Sequence, residues 1–273
     1  IEDTEIKNKI IHQKQYSKWI KENLITLENI EDPGETEHIS ESRIMELQRA
    51  FGYTEEDVNL VISPMVLNGT EALGSMGADT PLAVLSKKPQ LLFNYFHQLF
   101  AQVTNPPIDA IREEIVMSQT VMLGAEKNLL KETPEHCQRL KLTNPILGNN
   151  DLRKIKSLDL TNLKAVTLSL LFDKTNDKNG LKQALKNLFK EADKKILQGY
   201  SIIILSDKGV NEHSIAIPVL LASSGLHHHF IRKGTRTKVS IIVETGEARE
   251  IHQFATLAGY GAEAINPYLA FDS

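Results

Sequence analysis

The chain has 273 residues, of which 41% are hydrophobic and 24% are charged, and its formal net charge is −4. This composition is typical of a folded domain with a sizeable core, and the charge excludes a long-range field that attracts nucleic acid or an anionic membrane. Cys137 is the single cysteine, which excludes an internal disulfide, a zinc ribbon and an iron–sulfur cluster held by cysteines of this chain alone. The sequence has no run of about 18 apolar residues and no basic-then-apolar leader, so we expect a cytoplasmic protein without a membrane partner.

The N-terminal segment has the pattern of charged helices followed by a polar loop. Apolar residues recur at helical spacing, at Ile6, Ile10, Ile11, Trp19 and Ile20. Residues 28–41 predict a loop, and helices are predicted over 40–51 and 54–62, the second capped by Thr54 with Asp57. We predict that residues 1–40 form an arm over a neighbouring domain and that 41–273 form the main domain. The alternative is an N-terminal helix that packs on its own core.

Two stretches have dense turn chemistry. Gly74 and Gly77 allow positive φ, and Thr80 followed by Pro81 is typical of a helix start. Residues 105–107, Asn-Pro-Pro, predict a stiff bend before Asp109 caps another helix. Such backbone is typical of a place where another surface meets a fixed shape, although ordinary loop punctuation is an alternative.

Residues 88–156 predict helices with irregular connections. A stripe of apolar and aromatic residues at helical spacing indicates a core face rather than a cofactor site: Leu91, Leu92, Tyr95, Phe96, Leu99 and Phe100. His136 and Cys137 lie together near Pro134, and we predict a structural role for both because no partners for a metal or a nucleophile are indicated.

The last third alternates aliphatic strands with amphipathic helices. Strands are predicted at 165–170, 200–205, 238–244 and 262–265, and helices at 181–197, 214–231 and 248–257. Near-continuous aliphatic strands joined by helices predict an α/β fold with a βαβαβαβ parallel sheet after a helical N-terminal part. Half of a (β/α) barrel produces the same pattern.

Ligands of parallel sheets bind beyond the carboxyl ends of the strands, where the loops 173–180, 206–213 and 244–247 are expected. The stretch 173–179 resembles a calcium loop only superficially, because it lacks the sixth-position glycine and the twelfth-position glutamate, so we expect a plain loop. Thr245-Gly246 before a helix is a weak phosphate-binding pattern. The imidazoles of residues 227–229 cannot converge on one ion from a helix, and we predict that they end a helix. The sequence contains no P-loop and no full G-x-G-x-x-G pattern.

Seven blocks of this sequence, in order, resemble the central domain of glutamate synthase. They are residues 51–57, 74–86, 100–109, 112–117, 234–237, 243–250 and 259–270. The resemblance covers nearly the whole chain. In this family the central domain is a remote, incomplete relative of the flavin-binding barrel, which agrees with the predicted strands.

The resemblance implies a non-catalytic domain that joins an amidotransferase domain to an FMN domain of the same polypeptide. It also implies that glutamate is made from glutamine and 2-oxoglutarate, and that this domain forms part of the wall of an ammonia path. FMN and the iron–sulfur cluster are expected in the adjacent domain and no cofactor in this chain. The family's N-terminal cysteine nucleophile is absent, since residue 1 is isoleucine, so we expect the chain alone to be inactive and to be a piece of a longer polypeptide.

The candidate interdomain or tunnel residues are Ser75, Asp79, Thr80, Thr104, Asn105, Pro106 and Pro107. Hydroxyl and amide groups can hydrogen-bond ammonia without protonating it. The alternative is that both loops only pack between domains. The runner-up function is a free-standing phosphate-binding α/β enzyme that uses the Thr245-Gly246 turn.

Overall fold

The structure is a computed structural model that describes residues 1–34, 39–70, 72, 81–97, 100, 108–175 and 179–273. Its N-terminal half is mainly helical, with three short strands. The elements are α1 (Asp3–Ile11), α2 (Tyr16–Asn23), β1 (Ile25–Thr26), α3 (Glu41–Ala50), a π-helical turn (Asp57–Ile62) that runs into α4 (Ser63–Asn68), α5 (Ala110–Val116), β2 (Val121–Leu123) and β3 (Leu140–Leu142). Short 3-10 helices cover Leu27–Asn29, Ala83–Leu85, Leu92–Phe96 and Pro134–Cys137.

The C-terminal half alternates strands and helices, as the aliphatic runs predict. The elements are α6 (Asn149–Lys156), β4 (Asp159–Leu160), β5 (Leu163–Ser169), β6 (Leu171–Asp173), α7 (Gly180–Leu197), β7 (Ile202–Ser206), β8 (Ser214–Ala216), α8 (Val219–Lys233), a 3-10 turn (Arg236–Lys238), β9 (Ser240–Glu244), α9 (Ile251–Gly259), β10 (Ala264–Asn266) and α10 (Tyr268–Asp272).

A five-stranded sheet forms the centre of the fold, in the order β10-β9-β7-β5-β4. Its four parallel strands β5, β7, β9 and β10 lie side by side in chain order, with Thr167, Ile204 and Ile242 in register. One helix lies between each of these strands and the next, which is the βαβ arrangement that joins parallel strands in α/β folds. The α/β class with a parallel sheet is therefore confirmed. The described strands do not close into a barrel, because β10 and β4 are the sheet's two edges.

Each face of the sheet has its own hydrophobic core. On one face, Leu205, Ile241 and Ile265 pack with α7, α8 and α9 around Phe230. On the other face, Ile202, Ile204 and Ile242 pack against α6 and against β2 and β3. Burial on both faces explains why these strands are continuous aliphatic runs. A smaller three-stranded sheet in the order β1-β3-β2 covers this second face.

Two predicted helices start later than the sequence pattern indicates. Residues 214–216 form β8, which pairs antiparallel with β6, and α8 starts only at Val219. Pro218 explains this break, because a residue that precedes proline is disfavoured in the α conformation. α9 starts at Ile251 instead of residue 248, because the backbone N–H of Arg249 donates to Oε1 of Gln253 at 2.8 Å.

The helix and the cap predicted before residue 60 are confirmed, whereas the apolar stripe predicted after residue 90 is not a continuous core face. The helix over 40–51 is confirmed as α3, and Thr54 and Asp57 form the predicted reciprocal cap at 2.8 and 3.1 Å. The predicted stripe after residue 90 is a core face only at its start: Leu91 and Leu92 pack on the core, Leu99 lies outside the described residues, and Tyr95 and Phe96 are exposed on a 3-10 helix, Leu92–Phe96. A 3-10 helix has three residues per turn, so a stripe at α-helical spacing winds away from the core. None of the helices in the described residues combines the length and the apolar character needed to cross a bilayer.

Candidate functional site at the carboxyl edge of the sheet

Polar residues collect where the parallel strands end. Asp207 directly follows β7, the Thr245–Gly246 turn follows β9, and Asn266 ends β10. Asp207, Thr245 and Asn266 are all buried, each at most 1% exposed. Ligands of parallel α/β sheets bind at this edge, so it is the first place to examine for a functional site.

The Asp207 carboxyl group accepts from the hydrogen-bond donors of the Thr245–Gly246 turn. The Thr245 hydroxyl donates to Oδ2 of Asp207 at 2.5 Å, and the Gly246 N–H donates to Oδ1 at 3.0 Å. The Glu247 N–H in turn donates to the Thr245 hydroxyl oxygen at 3.0 Å. The side-chain carboxyl of Asp207 therefore takes the position that a bound phosphate takes at comparable strand–turn junctions.

Two buried carboxyl groups lie in this cluster, and burial dominates the electrostatics of both. Burial raises the pKa of Asp207 to about 8, with the nearby Glu247 adding to the rise and the Thr245 and Gly246 donors opposing it. Burial also raises the pKa of Glu247 to about 7, opposed by its hydrogen bond from the Val219 N–H and by Arg249. The Glu247 carboxylate accepts that hydrogen bond at 3.1 Å and so serves the first turn of α8.

Residues from the N-terminal half cover this edge. The ring of Phe51 lies against Gly246 so closely that a Cβ atom on Gly246 would approach ring carbons at 2.5 and 2.7 Å. Phe51 and Leu47 form a small buried cluster with Tyr268 and Leu269, which follow β10. Burial raises the pKa of the Tyr53 and Tyr268 hydroxyls, so both are neutral.

Arg249 fastens these covering residues to the turn after β9. Its guanidinium donates to the carbonyl oxygens of Phe51 and Gly52 at 3.3 and 2.9 Å, and it forms an ion pair with Asp57 at 3.0 Å. It also lies 4.2 Å from the centre of the Tyr53 ring, in a cation–π contact.

Two further contacts close the edge on its other side. Lys156 of α6 donates to both carboxylate oxygens of Glu244 at 2.7 and 2.8 Å, which neutralises a buried strand-end charge. The Asn266 amide donates to the Leu147 carbonyl at 2.8 Å. A cleft of about 540 Å³ opens beside this edge, and its lining carries both charge signs, from Arg49, Asp57, Arg249 and Glu250.

The polar groups at this edge of the sheet bind one another, which favours a structural role for them over ligand binding or catalysis. Internal groups use the donors of the Thr245–Gly246 turn, so the phosphate-binding interpretation of this turn has no structural support. Across the described ranges, no group of three or more His, Cys, Asp or Glu side chains could hold a metal ion.

The predicted interdomain and tunnel residues lie outside the described residues, and they stay predictions. They are Ser75, Asp79, Thr80, Thr104, Asn105, Pro106 and Pro107. Asp109, next to the second group, is described and caps α5 as predicted, accepting from the Ile111 and Arg112 N–H groups at 3.2 and 3.0 Å.

The three histidines lie inside α8, one turn before its end at Lys233, and the last turn itself carries Arg232 and Lys233. His227 accepts from Nε of Arg236 at 2.9 Å, while Nε2 of His229 lies 3.0 Å from the carboxylate of Asp193. These two imidazoles thus face different partners. His136 is structural in the same sense, since its Nδ1 lies 3.1 Å from the hydroxyl of Thr133 at the start of a 3-10 helix.

Sequence analysis missed the covering of the sheet edge by Phe51 and the role of Arg249. Both residues lie in blocks that carry the family resemblance, 51–57 and 243–250, but their contact spans almost two hundred residues of sequence. The position of Asp207 could have been predicted from the sequence. It directly follows an entirely buried aliphatic strand, and residues at the carboxyl end of such a strand lie at the ligand edge of the sheet.

The fold and this edge define an α/β domain whose ligand position is filled by its own side chains. A family model described as the glutamate synthase central domain matches residues 46–273. The chain is 50% identical to the glutamate synthase [NADPH] large chain of Bacillus subtilis, over 99% of this chain and 17% of that protein. It is 42% identical to the ferredoxin-dependent glutamate synthase 2 of Synechocystis (100% and 18%) and 37% identical to the glutamate synthase [NADH] of Schizosaccharomyces pombe (100% and 14%).

The chain belongs to the glutamate synthase central domain family. It spans less than a fifth of the length of each of these three relatives.

Proposed function

We propose that this chain is the non-catalytic central domain of a glutamate synthase, where it joins the amidotransferase and FMN-binding domains and forms part of the ammonia path. One observation carries the non-catalytic part. The ligand edge of the sheet is occupied by the buried Asp207 carboxyl and covered by Phe51. The relatives are named as glutamate synthases and are several times longer than this chain, which supports a connecting role.

In this proposal the parent enzyme is an oxidoreductase that assimilates ammonia in glutamate biosynthesis, and the FMN and iron–sulfur cluster belong to the adjacent domain. The cytoplasmic setting also stays a prediction, based on the single cysteine. We further propose that the sheet is an incomplete relative of a (β/α) barrel. The chain-order succession β5-β7-β9-β10 supports this relation, because adjacent strands of such barrels also succeed one another along the chain.

The division into an arm over 1–40 and a domain over 41–273 also remains a proposal. β1, which belongs to the arm, pairs with β3, and the carboxylate of Glu132 accepts from the Tyr16 hydroxyl at 2.7 Å. In contrast, Ile6, Ile10 and Ile11 of α1 are exposed. The arm therefore touches its own domain at one end and presents an apolar face at the other.

Exposed apolar side chains support the interdomain role. Ile111 and Ile115, one turn apart on α5, are 84% and 79% exposed. Leu60, Val66 and Leu67 are also exposed on the segment that contains α4. Apolar residues this exposed at helical spacing are typical of a surface that another domain covers.

The ammonia path is tested by Thr104→Val in the full-length enzyme that contains this domain. We expect glutaminase activity to stay largely intact while the ratio of glutamate formed to glutamine consumed falls by about 2- to 10-fold, the effect of one lost hydrogen bond. Valine keeps the side-chain volume and removes the hydroxyl. External ammonia should then partly restore glutamate synthesis, as measured by paired glutamine and glutamate assays.

Pro106→Ala is the matched control, since it relaxes the backbone without changing a polar side chain. We expect it to lower the free energy of unfolding by about 0.4–1 kcal/mol and to leave the coupling ratio unchanged. Wild-type coupling in Thr104→Val would show that the loop is scaffolding and would remove the tunnel assignment.

The chain on its own is expected to be colourless and to lack glutaminase activity. The physical reason is that the single cysteine, Cys137, cannot ligate an iron–sulfur cluster, and that under this proposal the glutaminase nucleophile and the flavin site belong to the adjacent domains. An absorption spectrum and a glutaminase assay on the purified chain measure this. A flavin band or turnover above that of a mock preparation would contradict the proposal.

A further inference from the structure

The segment that covers the ligand edge is held in place by one buried arginine side chain. Phe51, Gly52 and Tyr53, here called the plug, follow α3 and lie on the turn after β9. The carbonyl oxygens of Phe51 and Gly52 point to one guanidinium, that of Arg249, whose side chain is only 5% exposed. Hydrogen bonds from a charged group are about twice as strong as neutral ones, and a buried arginine fork fixes geometry as well as distance.

The Arg249 guanidinium makes three kinds of contact with the plug and the residues that follow it. It donates to two consecutive carbonyl oxygens, pairs with Asp57 beyond the plug and stacks on the ring of Tyr53. A further hydrogen bond, from Nη1 of Arg249 to the Glu247 carbonyl oxygen at 3.1 Å, holds the guanidinium against its own turn. Lysine could not reproduce this set, because an ammonium group lacks the planar fork.

The receiving surface is shaped for the plug by Gly246. A Cβ atom at this position would overlap three ring carbons of Phe51, at 2.5, 2.7 and 3.0 Å. Gly246 has no positive φ, so its backbone does not require glycine. The absence of a side chain at Gly246 is therefore explained by the ring that lies on it.

We propose that Arg249 is a positioning residue, a latch that holds the plug on the ligand edge and thereby fixes where the following helical segment, residues 54–68, lies. The inference goes beyond the proposed function, because it concerns contacts within this chain. The latched segment carries the exposed Leu60, Val66 and Leu67. Its first residues are tied directly to the latch, since Asp57 both pairs with Arg249 and caps the segment with Thr54.

The first test is hydrogen exchange in Arg249→Met, which keeps an unbranched side chain and removes the guanidinium. The backbone N–H groups of Phe51 and Tyr53 donate to the carbonyl oxygens of Leu47 and Gln48 in α3, and that of Val58 donates to the carbonyl oxygen of Thr54. We expect these amides to exchange about 10- to 100-fold faster, while amides of β7 and β9 keep wild-type protection. Arg49→Met, which removes an exposed guanidinium on α3, is the matched control and should leave all of these rates unchanged.

The second test displaces the plug from the opposite side and keeps Arg249. Gly246→Ala should accelerate exchange of the same three amides, since the new methyl group overlaps the ring. In a Phe51→Ala background the same substitution should add less than about twofold, because no ring remains to be displaced.

The two tests separate a latch from a general contribution to stability. Selective acceleration at residues 51–58 by both variants, abolished for Gly246→Ala in the Phe51→Ala background, supports the proposal. Unchanged protection at residues 51–58 in Arg249→Met would overturn it. So would an equal acceleration in β7 and β9, or an equal effect of Gly246→Ala in both backgrounds.

Discussion

Asp207→Asn is expected to stabilise the fold relative to the parent chain by about 2 kcal/mol more near pH 8 than near pH 5. Asparagine is nearly isosteric with aspartate, and an amide oxygen at the Oδ2 position can accept from both the Thr245 hydroxyl at 2.5 Å and the Gly246 N–H at 3.2 Å. The measurement is urea unfolding of both chains at a series of pH values, followed by far-UV circular dichroism.

The pH dependence arises because the folded chain keeps a proton that the unfolded chain has released. Burial raises the pKa of Asp207 from 3.8 to about 8 in the folded state. Its contribution to stability is therefore full below about pH 4 and is lost as the pH rises through about 8. The neutral asparagine lacks this loss, so the difference between the two chains grows over that window by at most about 1.4 kcal/mol per pH unit. Partial water access reduces this limit.

Glu247 titrates in both chains with the same sign, so its contribution largely cancels in the comparison. Glu55→Gln, at an exposed carboxylate, is the control and should change the pH profile by less than about 0.5 kcal/mol. A difference between the parent and Asp207→Asn that stays constant from pH 5 to pH 8 would show that Asp207 is charged in the folded state. The Asp207 carboxylate would then be an ionised, buried acceptor for the donors of the Thr245–Gly246 turn.

The parallel sheet could be predicted because its signal is local and strong. Strands such as Ile202–Ser206 are buried on both faces, so their sequences are nearly continuous runs of aliphatic residues. The caps at Thr54 and Asp109 were predictable for the same reason, since each bond spans only a few residues. The break before α8 was missed although Pro218 marks it, because the apolar periodicity of 214–231 outweighed a single residue.

The covering of the sheet edge could not be predicted from local patterns. Phe51 meets Gly246 through packing between two halves of the chain, and neither residue is unusual in its own segment. The buried carboxyl of Asp207 was equally hidden, because its pKa depends on what covers it. The candidate tunnel residues follow from turn-rich stretches and the family resemblance, and they stay predictions because they lie outside the described residues.

Gly261→Ala is expected to lower the free energy of unfolding by about 2–5 kcal/mol. Gly261 has φ of +104°, a conformation that alanine adopts only with strain, and it joins α9 to β10. An added Cβ atom would lie 2.2 Å from Nδ1 and 2.9 Å from Cβ of His227. The contact with Cβ cannot be relieved by rotating the imidazole, so α8 itself would have to move. Urea unfolding at pH 7, followed by far-UV circular dichroism, measures the effect.

His227 makes this site sensitive beyond the steric overlap. Its Nδ1 accepts from Nε of Arg236 at 2.9 Å, and Arg236 also binds Glu263 at 2.7 Å and the Gly261 carbonyl at 3.2 Å. Displacing the imidazole would therefore leave Arg236 short of a partner in a half-buried network. Burial, together with the charge of Arg236, lowers the pKa of His227, which keeps the ring neutral and able to accept.

Gly199→Ala is the matched control for this prediction. Gly199 also has a positive φ, +88°, but a Cβ atom there would meet nothing within 4 Å. The control therefore carries the backbone strain without the overlap, and we expect it to lower the free energy of unfolding by about 1–2 kcal/mol. If the two variants lose the same stability, backbone conformation alone explains Gly261, and the close packing of His227 against it contributes nothing. A clearly larger loss at Gly261 assigns the excess to the contact between α8 and the turn before β10.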